Sequence, residues 1–435
     1  MIEPDMALAE HLFTRLYELS FDGVGISRDT YGEGEQRAHT LMEDTARQIG
    51  LEIRRDAALN LYITLPGQQR DQPAVMTGSH LDSVPRGGNY DGAAGVVAGM
   101  AVLSGWARAS AAPQRDVTVM CVRAEESAWF PVSYIGSKSA FGLLGADALT
   151  SRRADTQRTL SEHLGELGGQ PEMIVCGEPA LQPKAIDCFV ELHIEQGPVL
   201  IEGGHPLGVV TGICGSHRYR HAQIKGQYAH SGATPRTHRQ DAVVALAILI
   251  ERLQRAWCDL ESEGHELTLT FGQVNTDSEQ ADFSTVPGLV SFSVDIRSRN
   301  TETLRRMDAL LMEAAHELES SQHVRFVWGP ASGSQSALMD EALQQALCNA
   351  ARALGVQPHR LPSGAGHDAA TFANQGIPTA MLFVRNANGS HNPQEAMDMG
   401  DFSVATRTLG LVLAERAGLI NTPPISPSVV GLSPC

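Results

Sequence analysis

Between Ala74 and Ala107 an apolar run, a Gly-rich loop and a helix of small residues follow one another. Ala74 to Thr77 reads as a short buried strand, and Ala93 to Ala107 as a helix. The loop between them, Gly78-Ser-His-Leu-Asp-Ser-Val-Pro-Arg-Gly-Gly-Asn-Tyr-Asp-Gly92, carries His80, Asp82 and Asp91. A strand ending in His-x-Asp, with an Asp at the next helix start, suits metal binding. The His80 imidazole can ligate through one nitrogen while Asp82 holds the other and fixes the tautomer. Asp91 has two oxygens and can bridge two cations. The same letters also suit a plain strand, a turn and an Asp helix cap.

Other stretches favour the metal. Val117 to Ala124 is apolar and runs into Glu125-Glu126. Adjacent carboxylates at a strand end repel each other, and a cation removes that cost. One can ligate while the other stays free as a general base. Alternation in Glu191-Leu-His-Ile-Glu-Gln196 puts Glu191, His193 and Glu195 on one face of a strand. Gly389-Ser-His-Asn-Pro-Gln-Glu395 is a loop after the apolar strand Ala380 to Val384. Four such segments converge in an α/β sheet, where sites form at the strands' carboxyl ends.

A chain of 435 residues can hold two domains. Its formal net charge of -17 disfavours nucleic acid as a partner. The seven cysteines include no C-x-x-C, which fits reduced thiols in a cytoplasmic protein. No secretion signal or membrane-spanning run is evident.

Periodicity divides the chain. Helices are expected over Met6 to Leu19 and Glu35 to Ile49, then a strand-turn-strand from Leu51 to Leu65. Residues 1–214 form the first part of one domain. From 215 to 328 the pattern becomes strands Arg218 to Lys225, Glu266 to Val274, Leu289 to Arg297 and His323 to Trp328. Two helices, Arg239 to Trp257 and Thr301 to Leu318, accompany them, making a small α+β layer. Residues 329–420 return to the first domain with helices Ser336 to Leu354 and Phe402 to Ala417. A Pro- and Ser-rich tail, 421–435, is expected to be disordered.

In GSHLDSVPRGGNYDGAAGV, ELHIEQGPVL, YAHSGATP, SGAGHDA and GSHNPQE the chain resembles the hydantoinase/carbamoylase family of dinuclear metal amidohydrolases. That family includes N-carbamoyl-L-amino-acid hydrolases, allantoate amidohydrolases and β-ureidopropionases, and is related to aminoacylases and carboxypeptidase G. The resemblance spans Ile26 to Gly418. It implies an α/β fold: a mixed-sheet α/β/α metallopeptidase-like catalytic domain with an inserted α+β lid and dimerisation domain. It also implies two divalent ions, with His80 and His193 on one, Glu126 and His391 on the other, and Asp91 bridging. Imidazole and carboxylate donors without thiolate suit Zn²⁺, Mn²⁺, Co²⁺ or Ni²⁺. Glu125 is then the general base. His230 donates to the substrate oxygen where charge develops. Asn275 and Arg297 clamp a substrate carboxylate, Gln196 contacts a ureido group, and His367 lies near the substrate. The implied assembly is a homodimer through the inserted domain, with His230 of one chain reaching the metals of the other. Two departures, Ser127-Ala128-Trp129 and Ser216-His217, alter the pocket wall and lid hinge, not the metal set. The implied reaction is hydrolysis of an N-carbamoyl L-amino acid. Allantoate, another N-acyl amino acid or a dipeptide are alternatives. A catalytically silent metal-binding scaffold is another, against which the complete ligand set argues.

Overall fold

A computed structural model describes residues 2–419, so the expected tail at 421–435 lies outside the described residues. The chain separates into two compact units. One comprises Gly212–Leu338 with Pro362–Gly366, and the other comprises the remainder.

The larger unit begins with helices α1 (Met6–Ser20) and α2 (Glu33–Ile49). Asp5 caps α1, accepting the Leu8 N–H, and α2 stops at Gly50, which has φ of 85°. Strands β1 (Glu52–Arg55) and β2 (Leu61–Leu65) form the expected hairpin. Next come β3 (Ala74–His80), α3 (Ala93–Arg108), β4 (Val117–Val122), β5 (Ile186–Ile194) and β6 (Leu207–Ile213). Helix α3 is buried from Ala93 to Trp106, so its small residues face packed neighbours all round.

The smaller unit carries a sheet with two helices. Its strands are β7 (Gly215–Lys225), the short β8 (Ala229–His230), β9 (Thr268–Thr270), β10 (Val274–Thr276), the short β11 (Thr285–Val286), β12 (Leu289–Ser298), β13 (Arg325–Val327) and β14 (Ala331–Ser334). Antiparallel pairing gives the order β10-β12-β7-β13, with β9 on β12 and β14 on β7. Burial alternates residue by residue along β12. Val290, Phe292, Val294 and Ile296 share one core with Leu249 and Leu253 of helix Ala242–Ser262 and Leu311 of helix Thr301–Gln322. The strand expected over Glu266 to Val274 is two short strands, β9 and β10, interrupted at 271–273. The expected boundary at 328 falls between β13 and β14, which pair with the same strand. The sequence Ala-Ser-Gly-Ser of β14 has no apolar alternation to mark it.

Strands β15 (Ala337–Leu338) and β16 (His359–Ser363) flank the helix Glu341–Ala353. That helix starts five residues later than Ser336, because Asp340 caps it. After the short helix Asp368–Asn374, β17 (Thr379–Val384) enters the sheet of the larger unit, followed by helix Met399–Arg416. The order there is β1-β2-β4-β3-β5-β17-β6. The four central strands, β4, β3, β5 and β17, are parallel. Their carboxyl ends therefore lie on one edge of the sheet.

Candidate metal centre and active site

That edge gathers the charged residues of four separate segments. His80 ends β3, Glu125 and Glu126 follow β4, His193 lies next to the end of β5, and the loop holding His391 follows β17. Asp91 stands just before α3. All are buried except His391, whose side chain is 49% exposed. Ala124 turns the chain after β4 with φ of 57°. Gly92, at φ of 65°, lets α3 start against His80, since a Cβ there would sit 2.5 Å from the imidazole.

Asp91 is the centre of this cluster. Its Oδ1 lies 3.7 Å from His80 Nε2 and 3.2 Å from His193 Nε2. Its Oδ2 lies 3.3 Å from His391 Nε2, which is in turn 3.2 Å from Glu126 Oε1. Two donor groups result, His80–Asp91–His193 and Asp91–Glu126–His391, sharing Asp91.

The hydrogen bonds assign the tautomers. His80 Nδ1 sits 3.0 Å from the Asp82 carbonyl and 3.2 Å from Asp82 Oδ1, so it carries the proton. His193 Nδ1 donates to the Ile194 carbonyl, and its Nε2 accepts the Gly92 N–H. His80 Nε2 thus presents its lone pair toward Asp91 Oδ1, which is buried and receives no hydrogen bond, while the Nε2 lone pair of His193 is shared with the Gly92 N–H. Lone pairs converging in a buried space need a cation between them. The donors are imidazole and carboxylate, and their chemistry fits first-row divalent ions.

Electrostatics agree. Burial disfavours charge on His80, yet its bond to Asp82 and the nearby carboxylates Glu125, Asp82 and Asp91 raise its pKa well above the ordinary value. Hydrogen bonds with Asp91 and Glu126 push His391 up to about 11. Burial opposes ionisation of Asp91, but His193, His391 and His80 hold its carboxyl well below the usual range. Glu125 behaves differently: burial, with Glu126, Asp368 and Asp82, lifts it well above a normal carboxyl despite His80. Asp82 joins these parts, its Oδ1 accepting the Glu125 N–H at 3.1 Å and Oδ2 the Glu126 N–H at 3.2 Å.

Gln196 belongs to the same cluster. Its Nε2 is 2.9 Å from Asp91 Oδ2 and 3.3 Å from His391 Nε2. His367 is buried, edge-on to the His193 ring at 4.5 Å, and burial keeps its pKa well below normal. It forms a third donor group with Glu191 and His193. Both Glu191 oxygens are already engaged, by Ser79 Oγ at 2.7 Å and the Ala369 N–H at 2.8 Å. Glu195, expected on the same strand face, lies one residue past the end of β5 and accepts the N–H groups of Val199 and Leu200.

His230, Asn275 and Arg297 lie in the smaller unit. His230 is exposed on β8, and its Nδ1 accepts the N–H groups of Gly232 and Ala233, leaving Nε2–H as a donor. Asn275 pairs with Ser291 across β10 and β12, whereas Arg297 stands six residues further along β12. Six residues of strand span roughly 20 Å. The two are therefore not brought together within one chain. The Arg297 guanidinium contacts Asp295 and the Gly364 carbonyl.

Sequence reasoning missed Arg28, Ser390 and Glu395, which contact the Asp91 loop. Glu395 stood in the GSHNPQE segment singled out for His391, and that was the signal available.

The chain belongs to peptidase family M20/M25/M40, whose model matches residues 76–415. Its relatives are more particular than that class. It is 33% identical over 410 residues to the N-carbamoyl-L-amino acid amidohydrolase of Geobacillus stearothermophilus, covering 93% of this chain and 97% of that one. It is 31% identical over 405 residues to the allantoate amidohydrolase of Bacillus subtilis, covering 92% and 95%. A hydantoinase/carbamoylase family amidase from Burkholderia ambifaria, known from its crystal structure, matches with a TM-score of 0.82 at 28% identity, covering 96% and 99%. Among the described residues no helix is long and apolar enough to cross a membrane.

Proposed function

We propose that this protein is a metal-dependent amidohydrolase that cleaves the C–N bond of an N-carbamoyl L-amino acid. One water is consumed; the products are the amino acid and a carbamic acid that falls apart to ammonia and CO₂. The observation that carries the reading is Asp91, whose two oxygens join two histidine-carboxylate groups at the carboxyl edge of the sheet. His80 and His193 would hold one ion, Glu126 and His391 the other, and Asp91 both. Bound ions of the Zn²⁺, Mn²⁺, Co²⁺ or Ni²⁺ kind supply Lewis acidity and lower the pKa of water.

The chain's own groups do the rest. Glu125, buried beside this cluster, accepts the proton of the attacking water and returns it to the leaving nitrogen. His230 offers its Nε2–H to the oxygen on which negative charge develops. The Gln196 amide hydrogen-bonds the ureido group, and His367 stands neutral beside the substrate. Arg297 and Asn275 recognise the substrate carboxylate, Arg297 through its planar fork.

Because Asn275 and Arg297 stand too far apart in one chain, the reading includes a homodimer. The inserted domain, residues 215–328, is its interface and lid, and each site takes residues from both chains. We place the enzyme in the cytoplasm, where the six free cysteines among the described residues would stay reduced.

A second reading, allantoate as substrate, is favoured by the near-equal identity to allantoate amidohydrolases. Ammonia release from a panel of N-carbamoyl amino acids and allantoate, with amino-acid release measured for N-acyl amino acids, decides between them. Activity on the carbamoyl acids that is lost to a chelator and regained with one of the four metals is expected. Activity on allantoate alone would replace the first reading with the second, and activity on neither would reject both.

A further inference from the structure

Two buried side chains of opposite charge hold the backbone of the Asp91 loop, and the reaction scheme leaves both unused. Arg28 is fully buried. Its Nε donates to the Leu81 carbonyl at 2.6 Å, between His80 and Asp82. Its Nη1 reaches Asn89 Oδ1 at 3.3 Å, and Nη2 reaches the carbonyls of Asn89 and Asp91 at 3.4 and 3.5 Å. One planar guanidinium therefore spans the turn carrying His80 and the turn carrying Asp91.

Glu395 holds the same loop by its N–H groups. Its Oε1 accepts from Tyr90 at 2.8 Å and Asp91 at 3.2 Å. Its Oε2 lies 2.6 Å from the hydroxyl of Ser390, which itself lies 2.7 Å from Asp91 Oδ2. Ser390 directly precedes His391. Gly88 makes room for this contact, since a Cβ there would lie 2.1 Å from the Glu395 carboxyl carbon.

We infer that Arg28 and Glu395 act as a backbone clamp that sets the spacing of Asp91 from His80 and from the His391 turn. They are positioning residues for the metal centre, and the inference rests on the reading of Asp91 as the shared ligand. A cation on the carbonyls and an anion on the amides of one three-residue segment fix both ends of its peptides. Carboxylate ligands are oriented by such outer contacts, and their loss costs metal affinity.

The test uses metal-free protein titrated with Zn²⁺ or Co²⁺ against a chromophoric chelator, with thermal melting as the control for folding. Glu395→Ala and Gly88→Ala should weaken at least one ion's binding by ~10-fold or more while the metal-free protein still melts cooperatively. Glu395→Gln keeps an oxygen for both amides and an NH₂ for Ser390, so its metal affinity should stay close to wild type. Arg28→Met should weaken binding similarly. If that variant does not fold, Arg28→Lys, which keeps the charge but cannot span both turns, is scored instead. Wild-type affinity in folded Glu395→Ala and Gly88→Ala, or equal damage in Glu395→Gln and Glu395→Ala, overturns the clamp. Wild-type affinity in the scored Arg28 variant removes Arg28 from it. Wild-type protein that binds no divalent ion overturns the metal-centre reading and the clamp with it. Two ions in the wild type with matching variants overturns the clamp alone.

Discussion

Adjacent residues on one turn, Glu125 and Glu126, meet different surroundings. Glu126 Oε1 lies 3.2 Å from His391 Nε2 and belongs to a donor group. Glu125 belongs to none of the three groups, and burial lifts its pKa, as suits a proton carrier. Glu125→Gln should therefore keep both ions and lose ~10²-fold or more in kcat. Glu126→Gln should lose metal as well. Metal analysis of the two purified variants, beside their kcat values, checks this, and equal metal loss in both would mean that the base is misassigned. Recognition of the substrate makes a further residue-scale expectation. If Arg297 clamps the substrate carboxylate as proposed, amidating that carboxylate should weaken kcat/KM by about 2–4 kcal/mol, since a bidentate charged contact is lost. Comparing acid and amide forms of one substrate measures it. The five candidate ligands were named from motifs and from the family resemblance those motifs carry, and they lie together in two donor groups that share Asp91. Arg28 and Glu395 were not named, since their partners lie up to 305 positions away and nothing local marks which loop they will grip.

Elements were legible where periodicity reports burial and opaque where pairing decides. The alternation in Leu289 to Arg297 correctly gave β12, with Val290, Phe292, Val294 and Ile296 inward. Alternation fixes a face but not a register, so it could not show that Asn275 sits opposite Ser291 rather than near Arg297. Nor could it find β14, which is held by its neighbour β7 and not by its own composition. The helix Ala242–Ser262 tests the core of the smaller unit. Leu249 is fully buried there. Leu249→Ala should cost ~2–5 kcal/mol in unfolding free energy, from lost burial and the cavity left behind. Chemical denaturation reads the cost, and metal affinity should not change, because Leu249 lies in the smaller unit and the ligands do not. A change in metal stoichiometry would show that the two units fold as one.

For the whole molecule, the question is whether one chain suffices. Metal-free chains should be inactive, and restoring two ions per chain should restore activity; full activity with one ion or none would reject the paired centre. Assembly is tested separately by mixing. Asn275 and Arg297 cannot share one carboxylate within a chain, and His230 presents its donor from the smaller unit. If each site is built from two chains, His230 serves the metal ligands of its partner. Inactive Glu125→Ala and inactive His230→Ala chains, dissociated and reassociated together, then form mixed dimers with one doubly defective site and one intact site. Random pairing makes half of the dimers mixed, so about a quarter of wild-type activity should return when sites work independently. If His230 serves its own chain, every site keeps one defect and nothing returns. Mass measurement of the mixed species makes the result decisive: no recovery with mixed dimers present assigns His230 to its own chain and removes the shared site.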